Sequence, residues 1–213
     1  MPLIGIRAMS ANELRAAVDA FAPEYVNDWD WWLSAPAARR PVVMGKILRR
    51  WQATRPQPMR RAMSEAEHSP PYLDDLLADA EQSVRALAGL DVARVAHRSP
   101  EQDAALRSLW DDFSRLTATG SASCVGITKA VMLATDGGFG PALDSQVRGR
   151  LSLGKPLSST EWIRALEGAA DDIAAFESRQ GPVASAVSER FGHLRIGRLY
   201  DMALGPRRVA IRG

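Results

Sequence analysis

The sequence predicts an all-α fold, a compact bundle of many helices forming one domain, and three observations carry that expectation. Apolar residues recur at helical spacing through most of the chain. Residues that start or stop helices separate these stretches, with serine or proline at their beginnings and glycine or proline at their ends. Hairpin dipeptides between alternating apolar runs, the mark of paired strands, are absent. With 213 residues, 46% hydrophobic and 24% charged, the chain can bury a sizeable core and is not composed like a disordered one.

The elements follow in order. Ser10 with Glu13 three residues later forms a capping box that opens a helix reaching about Phe21. Pro41 suits the first turn of a second helix. On it Val43, Ile47, Leu48 and Trp51 share a face while Arg49 and Arg50 point elsewhere, and Pro56 and Pro58 end it. Pro70–Pro71 introduces a long amphipathic helix carrying Leu73, Leu76, Leu77, Val84 and Leu87, stopping near Gly89. Ser99 and Pro100 open another, whose stripe is Ala105, Leu109 and Phe113 with Leu106 and Trp110 beside it. Shorter helices are expected over about 127–134 and 143–151. Ser158 or Ser159 then starts a long helix through Trp162, Ile163 and Leu166 to Phe176, ending near Gly181–Pro182. Two short helices, around 183–191 and 195–204, complete the chain. The whole of 1–213 reads as a single helical domain, and the prolines mark a candidate seam between two lobes around 55–71.

Several function classes are excluded. No apolar stretch approaches the ~18–20 residues that cross a bilayer, and the first nine residues lack the apolar core of a signal peptide. Cys124 is the only cysteine, so there is no disulfide framework, and a reducing, cytoplasmic setting with no membrane contact is expected. One cysteine and three scattered histidines (His68, His97, His193) argue against any metal site. No cofactor is implied.

Charge is unevenly distributed although the net value is only +2. Residues 39–61 carry eight basic side chains and no acid, residues 62–91 are acidic, and Arg195, Arg198, Arg207, Arg208 and Arg212 make the end basic again. Such separation suits a face that binds a polyanion, because lysine and arginine contacts to phosphate supply most non-specific nucleic-acid affinity. It equally suits a solvated face balanced by its acidic neighbour. On the first reading Arg49, Arg50, Arg60 and Arg61 contact phosphates and Trp51 stacks on a base. Trp29, Trp31 and Trp32 fit a core at helical spacing, and Arg198, Tyr200 and Asp201 either line a pocket or dock the last helix.

Residues 121–151 are the stretch most suggestive of chemistry. They read as a turn at Val125–Gly126, a helix carrying Lys129, a glycine-rich loop, and a second helix opened by Asp144. Lys129 stands among Val131, Met132 and Leu133, where desolvation would lower the pKa of its amine and favour a nucleophile. Asp144 is placed either to cap its helix or to act as a catalytic carboxylate. Cys124 reads as a small buried hydrophobe.

The order Val-Gly, lysine, apolar helix, short loop, Pro141-Ala-Leu-Asp144 and a following valine resembles the helix-hairpin-helix base-excision DNA glycosylases, which include 8-oxoguanine DNA glycosylase and endonuclease III. The resemblance spans about 30 residues. It implies a helix-hairpin-helix fold and an N-glycosylase that everts a damaged or modified base and excises it, with DNA rather than RNA as partner. Carried over, Lys129 matches the Schiff-base nucleophile, Asp144 the carboxylate that assists departure of the base, and Gly126 the second glycine of the hairpin. Thr128 falls where strict register would put the lysine and joins Gly126 in the nucleic-acid-binding set. The iron–sulfur cluster of some members is excluded by the single cysteine. Two alternatives stand beside this reading: a non-catalytic helix-hairpin-helix module that only binds nucleic acid, and a helical protein-interaction domain whose charge blocks pair with each other.

Overall fold

The computed structural model describes residues 5–55, 57–65 and 70–207; Pro56, His68, Arg208 and Arg212 lie outside them. Helix makes up 64% of the described residues, and among these there is no strand, only the isolated bridges Phe21–Arg207 and Met59–Thr117. The α-helices are α1 (Ala11–Asp19), α2 (Pro23–Ser34), α3 (Arg40–Arg50), α4 (Leu73–Ala86), α5 (Pro100–Ser114), α6 (Cys124–Ala134), α7 (Ser145–Leu151), α8 (Ser159–Gln180), α9 (Val183–Ala186) and α10 (Ile196–Leu204). A 3-10 segment, Val92–His97, packs against α8. Among the described residues no helix is long and apolar enough to cross a membrane.

Local chemistry explains most boundaries. The Ser10 hydroxyl accepts from the Glu13 amide while the Glu13 carboxylate returns the bond to Ser10, closing the expected capping box. Ser99 and Gln102 do the same for α5. Gly181, at φ 81°, stops α8 in a backbone conformation that side-chain-bearing residues rarely adopt. The apolar stripes face inward as their spacing dictates: Val43, Ile47, Leu48 and Trp51, then Leu73 and Leu76, then Leu106, Leu109 and Phe113 are all buried in one contiguous core.

Three elements differ from expectation. α2 departs from expectation: it opens on Ala22 with no side-chain cap, with Pro23 in its first turn, and its buried residues are Asp28, Trp29 and Trp32 instead of a repeating apolar stripe. The helix expected over 183–191 divides into α9 and a 3-10 turn at Glu189–Phe191. The expected turn at Val125–Gly126 is helical, since α6 already begins at Cys124.

One contact between backbones positions everything that follows. The glycine-rich loop after α6 lies directly on the start of α10, and the Gly137 carbonyl accepts from Arg198 N–H at 3.0 Å. A Cβ at Gly197 would sit 2.5 Å from Gly140 N and 2.6 Å from Gly137 O. A Cβ at Gly140 would in turn overlap the Gly197 carbonyl. Side chains are excluded on both surfaces. Because neither backbone can give way, Gly197→Ala is expected to lose at least the ~1–3 kcal/mol typical of overpacking, measured by urea denaturation. Gly149→Ala is the control and should not destabilise, because a Cβ there meets nothing within 4 Å.

Candidate active site

The site is assembled where α6, the loop after it, α3 and α10 meet. Trp51 caps the C-terminus of α3, where carbonyls lack intrahelical partners. Lys129 Nζ donates to the Trp51 carbonyl at 2.8 Å, and a cation at a helix C-terminus also complements the helix dipole. Lys129 is only 9% exposed. Burial pushes its pKa below that of an ordinary lysine, and the charges of Asp144 and Asp201 oppose this only in part.

Asp144 caps α7: its Oδ1 accepts from Gln146 N at 3.0 Å and Val147 N at 2.9 Å. Its other oxygen has no partner among the described residues. The choice between cap and cavity carboxylate is therefore not exclusive. Asp144 and Lys129 line one cavity of about 30 Å3 together with Asp201, Arg198, Tyr25 and Trp51. That volume holds a water molecule or two.

Asp201 and Arg198 form the floor. Asp201 Oδ2 accepts from Arg198 Nη1 at 2.7 Å and Oδ1 from Ala142 N at 2.9 Å. Burial pushes the Asp201 carboxyl up, and the Arg198 charge and the Ala142 N–H work against it. Arg198 Nη2 donates to the Tyr25 carbonyl at 3.1 Å. Its guanidinium carbon lies 4.7 Å from the Trp29 ring centre, 4.9 Å from Phe21 and 5.8 Å from Trp51. Of the three C-terminal residues flagged by sequence, Arg198 and Asp201 thus line the cavity, whereas Tyr200 hydrogen-bonds Asp172 at 2.9 Å and anchors α8.

Gly126 and Thr128, expected to face nucleic acid, are buried instead. A Cβ at Gly126 would lie 2.9 Å from the Ala53 carbonyl, so this glycine lets the end of α3 approach α6. The Thr128 hydroxyl donates to Cys124 O at 2.8 Å and accepts from Leu143 N at 2.9 Å, bolting the loop to α6. Cys124 is buried, and burial raises its thiol pKa.

The 39–61 segment is only partly paired: Arg40 lies 3.6 Å from Asp136, whereas Arg39, Lys46, Arg55 and Arg61 are exposed and have no carboxylate partner among the described residues. Arg49 pairs with Glu65 at 2.9 Å and Arg50 with Asp28 at 2.6 Å. Trp51 is 5% exposed and its indole N–H donates to Asp28 at 2.9 Å, which removes it from external stacking while leaving it in the cavity wall. Arg60 is half-buried, and burial lowers its pKa. Arg61 is exposed. Of a second cationic group near the cavity, sequence reasoning named only Arg207, next to the cavity-lining Pro206; Arg148 and Arg150 stand on α7, whose Val147 lines the cavity, and Lys155 follows α7 and lines a separate pocket. None of the four has a carboxylate partner among the described residues. Arg148 and Arg150 hydrogen-bond only to the carbonyls of Leu143 and Ala203. Arg148, Arg150 and Lys155 fall within eight residues of sequence, a sparser signal than the 39–61 run, and Arg207 lies more than fifty residues further on. Among the described residues no three of His, Cys, Asp or Glu converge to hold a metal ion.

The buried amine sets a pH dependence. The unfolded chain binds the Lys129 proton more tightly than the folded one, so stability rises with pH up to the ordinary lysine value of 10.5. Lys129→Met, similar in volume and uncharged, should flatten that rise when urea denaturation is compared at successive pH values between 7 and 10. An identical slope in the variant would show that the amine is protonated equally in both states.

No protein-family description, no characterised protein and no solved structure matches the chain.

Proposed function

We propose that the chain is a base-excision enzyme that cleaves the N-glycosidic bond of a nucleotide everted from DNA. The observation that carries this is the convergence of a buried lysine and a carboxylate on one cavity that Phe21, Tyr25 and Trp51 also line, together with the Arg198–Asp201 pair and aliphatic residues. Lys129 supplies the nucleophile: its amine lone pair forms a bond to the sugar C1′ as the C1′–N bond breaks and the base leaves with that electron pair. Asp144 stabilises the positive charge developing on the sugar and relays the amine's proton towards the departing base. Opening of the sugar ring leaves a Schiff base, which water hydrolyses. Two features support these roles. Burial favours the neutral, nucleophilic form of the amine, and an Asp144 oxygen remains free after the helix is capped.

A cavity of about 30 Å3 does not admit a nucleotide, so on this reading one enters when the rim parts. That rim is Phe21 and the Gly205–Pro206 segment, joined by the bond from Ala22 N to the Pro206 carbonyl at 3.0 Å. DNA lies on this reading across α7 and the tail, with Arg148, Arg150, Lys155 and Arg207 on phosphates.

A second reading has one specific observation in its favour. Lys129 already makes a good bond to the Trp51 carbonyl, which is what a purely structural bolt does in a module that binds nucleic acid without catalysis. Borohydride reduction separates the two, because only an amine nucleophile leaves a covalent adduct with a lesion-bearing duplex. Lys129→Gln should abolish trapping. Asp144→Asn retains a good capping residue, so stability should stay within the few tenths of a kcal/mol that separate Asn from Asp as caps, while base release slows by orders of magnitude. Failure of every lesion duplex to trap the wild-type chain, with binding intact, would leave the non-catalytic module.

Salt dependence locates the DNA. Each phosphate contact contributes about −0.9 to the log–log slope of affinity against salt. Arg148→Glu with Arg207→Glu should flatten the slope by about two contacts, whereas Arg49→Glu should leave it unchanged because Arg49 is held by Glu65. The reverse pattern would return the DNA face to the 39–61 segment.

A further inference from the structure

Most walls of the Lys129 cavity are locked in place. Asp201 is held by Arg198 and by the Ala142 N–H. Trp51 is held by Asp28 at its indole and by Lys129 at its carbonyl, and Asp144 is bound to the start of α7. One wall is different. Gly205 and Pro206 line the cavity from beyond Leu204, the last residue of α10, and the chain then bridges from Arg207 to Phe21.

Close fit and one backbone bond seat this segment. A Cβ at Gly205 would lie 2.5 Å from Phe21 Cε2 and 2.9 Å from the Asp201 carbonyl, so the glycine backbone rests flush on the ring. Pro206 has no N–H to donate. Among the described residues, the backbone hydrogen bond that ties 205–207 to the body runs from Ala22 N to the Pro206 carbonyl at 3.0 Å. One such bond adds little net hold, because water replaces either partner once the segment lifts. Exposure climbs along the segment, from buried Gly205 through half-buried Pro206 to exposed Arg207. Its end is also opposed by charge: after burial, it is the Arg207 charge that lowers the Arg150 pKa, so the two cations are near neighbours. Segments with few buried contacts and exposed bonds open far more often than a packed core.

We propose that Gly205–Arg207 is a strap that closes the Lys129 cavity, that the bond between Ala22 and Pro206 is its latch, and that the strap lifts from α10 to admit a planar ring to the amine. The hinge is Gly205, the first residue after α10, and the ends of elements are where hinges commonly lie. Closed, the strap leaves about 30 Å3, room for a water molecule or two, and shelters the amine from any larger carbonyl compound. The gate stands on the geometry of this wall. It rests on the base-excision reading only for the identity of the ring that enters, a nucleobase everted from DNA.

Pyridoxal with cyanoborohydride tests the strap on the full chain. The aldehyde condenses with a neutral amine and releases water, and the hydride reduces the imine to a stable secondary amine. Its ring is too large for the closed cavity. The chain has three lysines, and exposed Lys46 and Lys155 serve as references for Lys129 in the same digest by mass spectrometry. Ala22 already stands at φ −61°, which proline adopts without strain. In Ala22→Pro a ring carbon replaces the amide hydrogen and pushes the Pro206 carbonyl away. Lys129 labelling relative to the two references should rise by about tenfold, the scale of one hydrogen bond lost. Unchanged labelling in an Ala22→Pro chain with a native circular dichroism spectrum overturns the proposal. Deuterium exchange of the wild-type chain gives a measurement that needs no variant. The Ala22 amide should exchange through an opening about ten times more populated than the one that frees the Leu199 amide, which bonds to the Arg195 carbonyl at 3.1 Å in α10. Equal protection of the two amides would mean that the segment leaves only with the helix, and rejects the strap. Lesion duplexes with borohydride separate this claim from the reaction. Faster pyridoxal labelling in Ala22→Pro without trapping on any duplex keeps the strap and rejects base excision. Trapping by the wild-type chain, with labelling indifferent to Ala22→Pro, keeps base excision and rejects the strap.

Discussion

A guanidinium sealed among aromatic rings governs the architecture of the candidate site. Arg198 is 1% exposed, and a charge so deeply buried is tolerated only if it is paired and hydrogen-bonded. Asp201 supplies the charge, the Tyr25 carbonyl a further acceptor, and Phe21, Trp29 and Trp51 offer ring faces that attract a cation. These partners come from α2, the residues just before it, the end of α3, and α10. One side chain therefore ties the first third of the chain to its last helix. Removing a single member of such a pair typically costs 3–5 kcal/mol, because an uncompensated charge stays behind. The glycine contacts between the loop and α10 allow the arrangement, since any side chain at Gly140 or Gly197 would hold α10 away from the loop that Asp201 clasps through Ala142.

Lys129 is bound into the same construction from the opposite side. Its amine finishes α3, and the indole of the residue it bonds is held by Asp28, which also holds Arg50. The lysine is thus at once a structural cap and a desolvated amine beside two carboxylates. These roles compete for one lone pair and one proton. A protonated amine serves the carbonyl better, whereas a neutral one serves chemistry. Burial disfavours the charged form, while the charges of Asp144 and Asp201 favour it.

Much of the fold was legible because helices announce their own ends. Ser10 with Glu13, Ser99 with Pro100, and Gly181 each acted at the position where their chemistry is visible in sequence. α2 was hidden because its buried apolar residues, Trp29 and Trp32, form no repeating stripe, although Pro23 stands in its first turn. Within the site, Lys129 and Asp144 were identifiable from residue type and spacing, and they do line one cavity. Gly126 was misplaced for a physical reason: a glycine needed so that a neighbouring carbonyl can approach looks, in sequence, like one needed for a turn. Thr128 pointed inward because its hydroxyl bridges two backbone groups, a role that spacing alone does not reveal. Charge runs show less in sequence than pairing does in the fold. Arg49 and Arg50 are matched by Glu65 and Asp28, one in the acidic block and one in α2, and only the folded chain shows which cations remain unmatched.

The proposed reaction requires that the buried Lys129 amine be held below the ordinary lysine range and that DNA reach its cavity. Carbon-13 NMR of the Lys129 Cε resonance, titrated alone and with a duplex carrying a tetrahydrofuran abasic analogue, measures both properties on one nucleus. The account predicts a midpoint below the ordinary lysine value of 10.5 and a displaced resonance when the duplex is added. A midpoint at or above 10.5, together with a resonance indifferent to the duplex, would contradict it.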